Sequence, residues 1–290
     1  MNIMYEKLKP YLMLMPTMII IVGVFLSGIC VLIAQSFGYF PEIGLTEPTT
    51  KYFKEVFSSP SFRCSLMLSL RISLISTLGS VIVGVFISYI IIKSNKLVNA
   101  KKLISRVPVL VPHIIAAIIA YNFLSATGIL SRILYNLNII DDFNKFPILI
   151  FDRFGVGTIF AYIWKGAPYV SMVTYAVLKK VDREYMDMTL NLGATTRQYF
   201  WHVLLPLIYP TILSSFIILF AFSFSAFEIP FLLGSTVPRA LPVLAYHEYS
   251  AGDLLRRPYS MVINFIITFI CIIMAFFYKK SIDLINKYNR

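Results

Sequence analysis

The sequence predicts an all-α integral membrane protein with six transmembrane helices, and three observations carry that expectation. Of 290 residues, 58% are hydrophobic and only 14% are charged, with a mean hydropathy of +0.77. That leaves too little polar surface to cover a soluble globule, so the bilayer must be part of the solvent. Six solidly apolar runs, near 11–37, 66–92, 104–126, 154–178, 207–233 and 258–278, reach the ~20 residues that a spanning helix requires. The runs are dense in Leu, Ile and Phe, without the two-residue alternation of closed β-barrel strands.

The first run follows Lys7 and Lys9 as a secretory signal would. It is too long for such a signal and has no A-x-A cleavage site, which predicts a retained first helix. Residues 1–65 then form that helix with an outer loop, and 66–290 a core of five helices. The outer segments 38–65, 127–153 and 234–257 are long, whereas the inner link 93–103 is short and basic. The net charge of +12 resembles a nucleic-acid signal until it is placed on this topology. Lys and Arg are in excess on the inner segments, at Lys7, Lys9, Lys93, Lys96, Lys101, Lys102, Arg106, Lys179, Lys180, Arg183, Arg197, Lys279, Lys280, Lys287 and Arg290, against fewer on the outer ones, at Lys51, Lys54, Arg63, Arg132, Lys145, Arg153, Arg239, Arg256 and Arg257. By the positive-inside rule both termini are cytoplasmic, and the partner of the charge is the lipid bilayer rather than nucleic acid. Cys30, Cys64 and Cys271 are isolated and odd in number, so neither a disulfide framework nor a metal site is expected.

The inner segment 179–206, between helices 4 and 5, is longer than a turn needs and is neither Gly/Ser-rich nor a run of one charge. Met186, Leu190 and Leu192 on one side of Gly193-Ala194, and Phe200, Val203 and Leu204 on the other, recur at roughly helical spacing. Two short helices with a bend at Gly193 are predicted. The glycine permits positive φ or close backbone approach there, and Pro206 opens the next spanning helix, where its missing N–H is no loss.

Polar groups at membrane depth are the candidates for a translocation path, because each is costly unless it faces protein or water. These are Lys165, Glu228, Arg71 and His113, with Tyr121, Asn122 and Asn264 as further polar contacts. Ion pairing, snorkelling and ordinary helix–helix hydrogen bonding explain the same residues without a solute.

The segment Asp187-Met188-Thr189, then Gly193, then Val203-Leu204-Leu205-Pro206 resembles the cytoplasmic EAA loop of ABC importer permeases. There an acidic-Ala-Ala triplet precedes a Gly, and an I-x-L-P ending follows at fixed spacing. The spacing is met throughout, while the triplet is degenerate. Val181 through Tyr185 and the Trp164, Lys165, Pro168 pattern resemble the flanking family positions. Phe227 through Gly234, with Leu241-Pro242-Val243 and Asp253 through Pro258, resembles the spermidine/putrescine-type subgroup.

The resemblance implies a permease subunit of an ABC importer in a bacterial inner membrane. Its segment 184–206 would couple to ATPase subunits through Glu184, Asp187, Gly193, Ala194, Leu205 and Pro206. It also implies two ATP-binding subunits carrying ATP and Mg, a second permease subunit forming a heterodimer, and an extracytoplasmic solute-binding protein. The chain has no G-x-x-x-x-G-K-[ST] loop, so no cofactor and no enzymatic activity are expected of it by that route. A polyamine-like solute is favoured, with Glu228 as its carboxylate. Sugars, ferric iron and oxyanions are the alternatives, and a secondary transporter or channel is the competing function. An intramembrane enzyme would need a catalytic cluster, and His113, His202 and His247 are scattered.

Overall fold

A computed structural model describes residues 2–93 and 106–288. In chain order its helices are α1 (Asn2–Ser36), α2 (Lys51–Ser58), α3 (Pro60–Lys93), α4 (His113–Leu124), α5 (Ile129–Asn136), α6 (Val156–Asn191), α7 (Thr196–Tyr199), α8 (Leu205–Ser225), α9 (Glu228–Leu233), α10 (Leu241–Tyr249) and α11 (Arg257–Tyr288). Among the described residues the only β pairing is an isolated bridge between Phe40 and Leu45. The basic link centred on 94–103 lies outside the described residues.

The chain divides into two compact units, Met1–Ser59 with Ala245–Ile266, and Pro60–Leu244 with Ile267–Arg290. In the first, α2 is held by aromatic edges. Phe53 packs on Phe37 and Phe265 with ring centroids 5.1 and 5.6 Å away, and Tyr52 meets Tyr259 edge-on at 5.1 Å. The Tyr259 hydroxyl donates to Glu55, Arg256 pairs with Glu248 at 3.2 Å, and the Arg257 guanidinium lies over the Tyr249 ring.

The second unit is organised by a seam of small residues. On α3, Ser69, Ser73, Ser76, Ser80, Gly84 and Ser88 recur every three or four residues, and all five serines are buried. Without bulk on this face the α3 backbone approaches α6 closely. A Cβ on Gly84 would stand 2.6 Å from both the Ala167 carbonyl oxygen and Val170 Cβ. A Cβ on Gly166, across the seam, would stand 2.5 Å from Ser80 Oγ. The serines satisfy their hydroxyls on the preceding turn, Ser73 Oγ to Ser69 O and Ser80 Oγ to Ser76 O at 2.7 Å each. At its other end, Ser69 Oγ accepts from the Leu241 N–H at 2.6 Å. The start of α6 is fixed by Asp152, whose carboxylate accepts from the N–H groups of Phe154 and Val156 at 2.9 Å each, as an N-terminal cap does.

Among the described residues, five helical stretches are long and apolar enough to cross a membrane: Lys9–Ser36, Pro60–Ile92, His113–Asn136, Arg197–Ser225 and Leu254–Lys280. The chain is therefore a multi-pass membrane protein by its helices. The fourth predicted run, 154–178, does fold as helix within α6 but is not among the five. Lys165, Gly166, Pro168 and its tyrosines dilute its hydropathy. Ala161, Tyr162, Ala167, Val170, Ser171, Thr174 and Leu178 are buried, with α3, α4 and α8 packed on the helix. A helix covered by protein on so many sides need not be uniformly apolar.

Two boundaries differ from the sequence expectation. The fifth run ends at Ser225, and the chain breaks at Ala226–Phe227 before α9. Pro230 is the third residue of the new helix. The predicted pair of short helices flanking Gly193 is instead the uninterrupted end of α6 and the beginning of the next long helix. That helix starts at Thr196 and runs through five π-helical residues, Phe200–Leu204, into α8. Pro206 accordingly does not open a helix. It follows the widened π turn, which accommodates a residue that cannot donate to the preceding turn and whose ring crowds it.

Candidate functional site

The first candidate is the bend between α6 and α7. Gly193 adopts φ +83°, a left-handed conformation open to glycine at little steric cost. The Ala194 N–H reaches back to Thr189 O at 3.2 Å, the long closing bond of a Schellman-type helix end. Two residues later a new helix is capped reciprocally. The Thr195 N–H donates to Gln198 Oε1 at 2.8 Å and the Gln198 N–H to Thr195 Oγ1 at 3.3 Å, a capping box. Asn191 through Gln198 is therefore a helix stop followed directly by a helix start. A Cβ on Gly193 would find no atom within 4 Å, and Leu192 is 88% exposed, so the bend presents an open surface with an apolar tip. Leu204 and Tyr199, just beyond it, are buried with Leu178 and Ile208, which anchors the bend to the helices behind. Leu205 is packed at the edge of that cluster. The side chains of Glu184 and Asp187 lie outside the described residues.

The second candidate is a cavity of about 200 Å³ within the second unit, lined from α3 by Ser76, Thr77 and Ser80, and from α6 by Tyr162, Lys165 and Tyr169, with His113, Phe222 and Ser223 also on its wall. Two chain breaks converge near it. Residues 106–110 are helical, the chain breaks at Val111–Pro112, and α4 starts at His113 with no side-chain cap. The Lys165 ammonium donates to the Val111 carbonyl oxygen exposed by that break. At the other break, Glu228 opens α9, and its Oε2 lies 3.5 Å from His113 Nδ1. Glu228 is also close enough to Lys165 for their charges to interact. The His113 ring rests against Phe222, centroids 5.1 Å apart.

Lys165, Glu228 and His113 are thus brought together, and the other polar candidates are not part of the cavity wall. The Tyr121 ring faces Phe151 at 6.2 Å, Asn122 Nδ2 donates to Ile118 O at 3.0 Å on its own helix, and the Arg71 guanidinium stands 4.6 Å from the Phe154 ring centroid. Asn264 belongs to the first unit, where it meets Ser260. Sequence reasoning did not single out the hydroxyls of Ser76, Thr77, Ser80 and Tyr162. The signal for the α3 group is the serine repeat at three- and four-residue spacing.

Residues 56–285 match the family model described as the binding-protein-dependent transport system inner membrane component. The spermidine/putrescine transport system permease protein PotB of Haemophilus influenzae is 25% identical over 57% of this chain, and the match spans only 55% of that protein's length. The molybdenum transport system permease protein ModB of Mycobacterium tuberculosis is 23% identical over 67% of this chain and 71% of its own. Among solved structures, a bacterial alginate ABC transporter in complex with an alginate pentasaccharide-bound periplasmic protein superposes with a TM-score of 0.78. It is 20% identical, covering 94% of this chain and 95% of that one, a likeness of fold. With the family model covering most of its length, the chain belongs to the inner-membrane components of binding-protein-dependent transport systems, the permeases of ABC importers.

Proposed function

We propose that the chain is a permease subunit of an ABC importer that spans a bacterial inner membrane six times, with both termini cytoplasmic and α6 as the fourth, protein-covered span. It forms a translocation path for a small polar solute and transmits ATP-driven motion through the segment 184–206. The observation that carries this reading is the bend at Gly193. It occurs at the motif spacing of the coupling loop, between two long helices, so that a push on an exposed turn is delivered to both. Glu184 and Asp187 supply charge for pairing with basic groups of an ATPase, while Gly193 and Ala194 supply the turn. Leu205 and Pro206 pass the displacement into α8. ATP and Mg belong to two partner ATPase subunits. A second permease subunit and a solute-binding protein, such as the periplasmic protein in the alginate transporter complex, complete the assembly.

The solute follows less directly from kinship, since the relatives named carry polyamines and molybdenum. Taken alone, the subgroup resemblance points to a cationic, polyamine-like solute bound at Glu228. It requires Lys165 and Arg71 to be neutralised or turned from the path. Arg71 is occupied over Phe154, but Lys165 lines the cavity. Purified chain should show no ATP hydrolysis until it is assembled with an ATPase subunit. Hydrolysis by the isolated, contaminant-free chain would overturn the division of labour.

A further inference from the structure

We propose that the cavity between α3, α6 and α8 is a solute-contact site for an anionic oxygen group, a carboxylate or an oxyanion, with Lys165 as its principal ligand; this rests on the permease reading above. Its walls hold one ammonium, one imidazole and several hydroxyls, and no carboxylate. Lys165 has three donor hydrogens, and the hydrogen bond described for its ammonium goes to Val111 O. The hydroxyls of Thr77 and Tyr162 are buried and have no hydrogen-bond partner among the described residues, and both side chains line this space. Such groups are destabilising unless something supplies an acceptor. The rest of the wall, around a volume of about 200 Å³, is mostly apolar.

The surrounding backbone has the same sign. The N-terminus of α4 begins at His113 without a side-chain cap, and the first-turn N–H groups of a helix favour negative charge. Broken helices at membrane depth are tolerated where they line a cavity. Glu228, which reaches His113 from the start of α9, is the resident counter-charge of this cluster. Acceptor for acceptor, a solute carboxylate or oxyanion can take up the donors that Glu228 leaves unused. An ammonium entering the same space would meet the Lys165 charge, with Glu228 set back from the wall against His113.

The test uses the full assembly of this chain with its partner permease, ATPase subunits and binding protein, reconstituted in proteoliposomes. ATP-driven uptake is measured for sulfate, molybdate, galacturonate, putrescine, spermidine and maltose. The expected result is uptake of an anion, with sulfate or molybdate indicating an oxyanion and galacturonate a carboxylate. Lys165→Gln should reduce that uptake by roughly tenfold or more, the scale of a lost charge-assisted hydrogen bond, and Lys165→Arg should restore part of it. Co-purification with the ATPase subunits checks folding. Should Lys165→Gln fail to assemble, Tyr162→Phe, which removes one oxygen atom, should still raise the half-saturating anion concentration several-fold. Uptake confined to putrescine, spermidine or maltose overturns the anion assignment and leaves the permease reading standing. So does anion uptake untouched by Lys165→Gln, or by Tyr162→Phe where that variant is the one assembled. Loss of ATP-driven uptake for every solute in a fully assembled complex defeats both readings.

Discussion

Substitution of Gly193 separates conformation from contact at the bend. With φ at +83°, a residue bearing a Cβ incurs about 1–2 kcal/mol of local strain. The space around the site is open, with no atom within 4 Å of the added carbon, so no clash within the chain adds to that figure. A change of this size alters the population of the native turn by a factor of about 5–30, enough to loosen the bend without unfolding two long helices. Gly193→Val should therefore insert and purify normally, while capture of the ATPase subunit by the tagged chain and ATP-driven uptake fall together. Asn tolerates the left-handed region better than other non-glycine residues. If φ is what matters, Gly193→Asn should retain most activity, whereas equal damage by Asn and Val would mean that a partner backbone must approach the bare glycine. Wild-type capture and uptake by Gly193→Val would refute the assignment of the bend to coupling.

The α3–α6 seam should be far less forgiving. Gly84→Val places its Cβ 2.6 Å from the Ala167 carbonyl oxygen and should lower the detergent thermal midpoint or abolish folding, an overpacking effect of ~1–3 kcal/mol or more; an unchanged midpoint would contradict the close packing. Thr195→Ala removes the hydroxyl that accepts from Gln198 and should cost ~1 kcal/mol at the start of the α7–α8 helix, seen as faster amide exchange over residues 196–200. In a background with Cys30, Cys64 and Cys271 replaced by Ser, Gln198→Cys should label only from the cytoplasm and Thr46→Cys only from outside. Labelling of both from one face would break the six-span topology.

Much of the bend was legible because its signals are local. Gly193 declares a helix end and Thr195 through Gln198 a helix start, although only the glycine was used in reading the sequence. Pro206 misled as a start signal because a π turn absorbs it inside a continuous helix, and nothing in the run Phe200–Leu204 announces that widening. The departure at the fourth span has a similar origin. Hydropathy measures exposure to lipid, and α6, packed by α3, α4 and α8, buries Thr158, Ser171 and Thr174 among its apolar residues. Lys165, His113 and Glu228 were each visible as charges at depth, but their convergence was not. It depends on chain breaks at Val111–Pro112 and Ala226–Phe227 that turn two helix starts toward one cavity. The hydroxyl lining was hidden for a simpler reason, since serines at three- and four-residue spacing also serve to bring helices together.

The central claim, that the chain converts ATP hydrolysis on partner subunits into solute import, is tested most directly in proteoliposomes containing the chain and its partner permease with or without ATPase subunits and binding protein. Uptake should require both ATP and the ATPase subunits, and ATP turnover should rise when solute-loaded binding protein is added. Solute uptake by the permease chains alone, driven by an ion gradient and indifferent to ATP, would contradict the account and identify a secondary transporter.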